Sequence, residues 1–121
     1  MATLTVLTNT STALYQQAMH QLNISYANDE EVELVPASAD AELRIKIWFI
    51  AISCNSAAVL TLSSADDRIF DFYAGNNWGT ILQSQEREPI FECAVEEAFN
   101  FISDQQQGHL GNVFIKYTVE K

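Results

Sequence analysis

Along much of the chain, apolar and polar residues alternate with a period of two. That is the pattern of a strand with one face on a core and the other on solvent. Residues 31–35 show it briefly: Glu31 and Glu33 point outward, Val32 and Leu34 inward, and Pro36 ends the run. Residues 42–52 show it at greatest length. Leu43, Ile45, Ile47, Phe49 and Ala51 fall on one face, and Glu42, Arg44, Lys46, Trp48, Ile50 and Ile52 on the other. A polar turn at Ser53-Cys54-Asn55-Ser56 leads into a strand over 57–63. A second turn, Ser64-Ala65-Asp66-Asp67, leads into another over 68–74, where Phe70 and Phe72 oppose Ile69, Asp71 and Tyr73. Residues 3–8 and 112–119 alternate in the same way and predict a first and a last strand.

Two stretches have helical spacing instead. In residues 11–22, Leu14, Ala18 and Leu22 form a stripe widened by Tyr15 and Met19, after cap-forming Asn9-Thr10-Ser11. From Pro89 to about Gln106, Ile90, Phe91, Ala94, Val95, Ala98, Phe99 and Ile102 form a broad apolar face, with Gly108 as a stop. The predicted order is β-α-β-β-β-β-α-β. It implies an α+β two-layer sandwich: a mainly antiparallel sheet of five to six strands, strands two to five forming a meander, both helices on one face. At 121 residues, one domain spanning 1–121 is expected.

In that arrangement Trp48, Ile50 and Ile52 face away from the helices, joined by Tyr73, Phe114 and Lys116. An outward apolar stripe of this kind reads as an interface for a partner or a second copy of the chain. Gly75-Asn76-Asn77-Trp78-Gly79 opens an irregular connection. Trp78 is either presented there as an anchor or folded back to plug the core, with Ile81 and Leu82 behind it as a short strand.

Charge changes the picture most. Sixteen acidic residues against six basic ones give a net charge of −10. Such a field repels nucleic acid and anionic membrane and favours a basic protein partner, although it also serves solubility. The acids cluster at Asp29-Glu30-Glu31 with Glu33, at Asp66-Asp67 with Asp71, and at Glu92, Glu96 and Glu97. The start of the chain has no basic segment. The longest near-continuous apolar run, residues 45–52, contains Lys46 and is too short to span a bilayer, so a cytoplasmic location is expected. Cys54 and Cys93 lack framework spacing and read as two buried free thiols.

Candidate chemistry is thin. His20 falls on the outer part of the first predicted helix and His109 in a glycine-flanked turn, neither at a motif spacing from a nucleophile or carboxylate. Asp66, Asp67 and Asp71 lack the ordered spacing of a cation loop, and no nucleotide or cofactor fingerprint occurs, so neither metal nor cofactor is expected. No stretch resembles a known family. The expectation is a non-enzymatic acidic protein that inhibits or neutralises a basic macromolecular partner, in the manner of an immunity protein or inhibitor against a toxin, nuclease or defence complex. A secretion or assembly chaperone, or a structural subunit, acting through an apolar sheet face is the alternative. A small enzyme with its site across a subunit interface comes third. The candidate partner-binding residues are Trp48, Tyr73, Trp78, Glu31, Glu33, Asp66, Asp67 and Asp71.

Overall fold

A computed structural model describes residues 19–29, 31–84, 87–104 and 108–121. Among these residues the protein is all β. The strands are β1 (His20–Ala27), β2 (Glu31–Val35), β3 (Arg44–Cys54), β4 (Ala58–Ser64), β5 (Asp67–Ala74), β6 (Trp78–Gln83), β7 (Phe91–Glu92), β8 (Phe99–Ser103) and β9 (Leu110–Glu120). They form two antiparallel sheets. The first has the order β1-β9-β3-β6, with the short β7 also on β3; the second has the order β2-β8-β4-β5.

The core lies between the sheets. From the first, Ile45, Ile47, Ile50 and Ile52 stand opposite Val119, Tyr117, Ile115 and Val113 on β9. From the second come Leu60, Leu62, Phe72, Phe99 and Phe101, all buried. Tyr26 of the first sheet meets Phe101 of the second edge-on, ring centroids 4.6 Å apart. Each sheet thus covers the apolar face of the other, the arrangement that makes a sandwich stable.

This overturns the α+β expectation. The second predicted helix is instead β7, a turn and β8. Phe99 fits two periods at once: it lies on the helical stripe with Val95 and Ile102, and it also alternates with Phe101 across Asn100. Two facts favour the strand. Glu96 adopts a left-handed backbone at φ 62°, which stops a right-handed helix. The segment 99–103 then finds ladder partners on both sides, β2 and β4. The first predicted helix falls mostly in residues 11–18, outside the described residues, as does the strand expected at 3–8. Its last residues, His20 to Leu22, belong to β1.

The strand expected at 31–35 is β2, and those expected at 42–52, 57–63, 68–74 and 112–119 correspond, with shifted ends, to β3, β4, β5 and β9. The meander does not form. Only β4 and β5 pair as sequence neighbours in the second sheet; β2 pairs with β8, and β3 lies in the other sheet between β9 and β6.

The outward stripe of Trp48, Ile50 and Ile52 is also corrected. The β3–β9 register shifts between Ile47 and Phe49, leaving Trp48 as the extra residue of a bulge. One added residue reverses the alternation, so Ile50 and Ile52 turn inward with Ile45 and Ile47. Phe49 and Ala51 become the outward pair, beside Phe114 and Lys116 of β9. The bulge lies where β3 changes neighbours: Ile90 N–H donates to the Ile47 carbonyl and Ser84 N–H to that of Trp48. No helix among the described residues is long and apolar enough to cross a membrane.

Candidate protein-binding groove

The second sheet turns its other face to solvent, and the register writes out what lies there. Glu31 stands opposite Ile102, Ile102 opposite Thr61, and Thr61 opposite Asp71, one row across four strands. Val59 and Tyr73 form the next pair, and Ser63 and Arg68 flank the row on the other side. Together with Ala65, Asp66 and Asp104, these residues line a groove of about 600 Å³.

Four carboxylates converge on this groove, from Glu31, Asp66, Asp71 and Asp104, against the single cation Arg68. Asp71 is held in place: Thr61 Oγ1 donates to its Oδ1 at 2.8 Å, and Arg68 Nη2 lies 3.7 Å from its Oδ2. Asp104 accepts the Val59 N–H at 2.8 Å, which anchors the end of β8 to β4. Glu31 and Asp66 are exposed and free to meet a partner. Tyr73 is 78% exposed at the rim. Ser63, only 2% exposed, lines the groove with its Oγ buried and without a hydrogen-bond partner. A buried hydroxyl of this kind is normally satisfied, and leaving it bare is unfavourable.

Of the residues singled out from the sequence, Glu31, Asp66, Asp71 and Tyr73 are brought together here. Glu33 lies on the same face, opposite Asn100, and Asp67 opens β5, but neither lines the groove. Trp48 and Trp78 belong to the first sheet. The Trp48 indole is half-buried and donates from Nε1 to Thr118 Oγ1 at 2.8 Å. Trp78 is folded back against the core as the first residue of β6, its ring 5.8 Å from that of Phe72, with Ile81 and Leu82 following in the same strand. Sequence reasoning missed Asp104, Thr61, Ser63 and Arg68. Asp104 was hidden inside the supposed helix; the other three face outward only once the partners of β4 and β5 are known.

The histidines lie elsewhere. His20 opens β1, exposed, with its ring against Tyr117. His109 does sit between strands as expected, but it is wholly buried. Its Nε2 and Nδ1 lie 2.9 Å from Tyr26 Oη and Ser56 Oγ, and its carbonyl accepts the Asn28 N–H at 2.7 Å. This network ties three connections together at one end of the sandwich. Gly111 makes room for it, since a Cβ there would collide with the Tyr26 ring and the Ser53 carbonyl. Burial, with the nearby Cys54, pushes the Tyr26 phenol well above its ordinary range. Cys54 and Cys93 are both buried and unpaired. Among the described residues no three His, Cys, Asp or Glu side chains are placed to hold a metal ion.

No protein-family model matches the chain, and no curated protein matches it, so the functional reading rests on this geometry.

Proposed function

We propose that the protein is a non-enzymatic binding protein whose acidic groove captures a basic segment of a protein partner and so inhibits or neutralises it. The observation that carries the reading is the convergence of Glu31, Asp66, Asp71 and Asp104 on one concave sheet face with only Arg68 to balance them. Two of the four, Asp71 and Asp104, are fixed by hydrogen bonds before any partner arrives, which lowers the entropy lost on binding. The surrounding net charge of −10 steers cationic partners inward from a distance.

Titration of the protein with polylysine, at low and at moderate salt, tests this. Glu31→Gln with Asp66→Asn is expected to weaken binding by about three- to tenfold, as for the loss of two exposed charge contacts. Glu88→Gln with Glu96→Gln removes the same charge outside the groove and is expected to have little effect at moderate salt. Equal losses in both double variants would reduce the groove to general electrostatics and defeat the reading. A second reading, assembly through an apolar sheet face, is favoured by Ile81, 64% exposed on the first sheet's outer face near Phe49, Ala51 and Phe114. It predicts association that salt leaves unchanged and that neither double variant disturbs.

A further inference from the structure

Arg68 is the one cation among the groove's lining residues, and its guanidinium lies against Asp71, the carboxylate that ends the row on the edge strand β5. The hold on it is weak. The contact is 3.7 Å and the arginine side chain is 71% exposed, so water and salt screen the pair and little opposes its release. Beside it, Ser63 offers a buried hydroxyl with nothing to bond. Through Asp71 the groove therefore already engages a guanidinium, loosely, while a polar atom on its floor goes unused.

We infer that the groove is an arginine-binding site in which Arg68 stands in for an arginine of an extended basic segment of the partner protein, and that Ser63 accepts a hydrogen bond from the incoming guanidinium. This deepens the function proposed above and rests on it. The chemistry favours arginine over lysine. A planar guanidinium presents several N–H groups in a fixed fork, enough to reach Asp71 and Ser63 together, whereas an ammonium acts as a point charge. Arg68 swings out as the partner's arginine enters, its side chain being largely in solvent already.

The test is isothermal titration of the full chain with an oligoarginine peptide. Arg68→Gln is expected to bind about three- to fivefold more tightly, the factor that freeing Asp71 from an exposed ion pair supplies. Arg87→Gln removes the same charge away from the lining residues and is expected to leave the affinity within about 1.5-fold at moderate salt. Ser63→Ala is expected to weaken binding several-fold without lowering the thermal midpoint, because it deletes a hydroxyl that the free fold leaves unsatisfied. Should Arg68→Gln bind no more tightly than Arg87→Gln, or Ser63→Ala bind as well as the parent, the inference is wrong even where the groove still captures polylysine. Failure of the groove double variant to affect polylysine would instead defeat the function on which it rests.

Discussion

At the scale of single residues, burial decides what a side chain can do. Cys93 is completely enclosed, and this pushes its thiol up to about 11 from an ordinary 9.0; Glu97 and Glu92 add to the rise, and a hydrogen bond with Ser64 opposes it. The folded state therefore prefers the neutral thiol. Below pH 9 the thiol is protonated in both states and its contribution to stability is fully present. Between pH 9 and 11 the unfolded chain gives up its proton while the folded chain keeps it, so stability falls, by up to about 1.4 kcal/mol per pH unit. Denaturant unfolding across that range is expected to show a shallower loss in Cys93→Ala than in the parent; equal slopes would show that Cys93 is not the group responsible. His109 makes the same point. A histidine between glycines looks like an exposed turn residue, but hydroxyls from Tyr26 and Ser56 satisfy both ring nitrogens and allow it to be buried.

At the scale of the element, β3 shows how one residue can reverse a strand. Trp48 is the inserted position, and because of it Ile45 and Ile47 share a face with Ile50 and Ile52. Deleting Trp48 would restore plain alternation and keep all four isoleucines inward. Deleting Ala51, only three positions on, would turn Ile52 and Cys54 to solvent. The Trp48 deletion is expected to fold cooperatively with a loss of about 1–3 kcal/mol, from its half-buried indole and the Thr118 hydrogen bond. The Ala51 deletion is expected to abolish cooperative unfolding or lose considerably more. Chemical denaturation of the two compares them directly, and similar stabilities would refute the phase argument. The bulge has no mark in the sequence, since Ile-Trp-Phe-Ile reads equally well on either phase. The second predicted helix failed for a related reason. Phe99 satisfies both a period near 3.6, with Val95 and Ile102, and a period of two, with Phe101, and what selected the strand was the pair of open ladders offered by β2 and β4.

At the scale of the whole molecule, charge acts on stability and on recognition in opposite directions. Self-repulsion within a chain carrying −10 destabilises the compact state, and salt screens it. The thermal midpoint is therefore expected to rise by a few degrees as salt is added, while affinity for a cationic partner falls. A midpoint that falls or stays fixed would show that acidic repulsion does not limit the fold. The same balance gives the acidic groove a structural setting: its carboxylates are spread over one solvent-facing side of the second sheet, and two of them are tied to Thr61 and the Val59 amide.

The sequence by itself determined the local features. It marked the alternation of β2, β4, β5 and β9, the turns between β3 and β5, the acidic excess, and four of the residues that line the groove: Glu31, Asp66, Asp71 and Tyr73. These depend on neighbours within a few positions, where periodicity and turn chemistry carry information. Only the tertiary structure decided which strands pair, where β3 changes phase, and that Asp104, Thr61, Ser63 and Arg68 join the same face. Strand pairing is set by contacts between residues far apart in the chain. A segment such as 99–103 becomes a strand because distant partners complete its hydrogen bonds, and no local pattern records who those partners are.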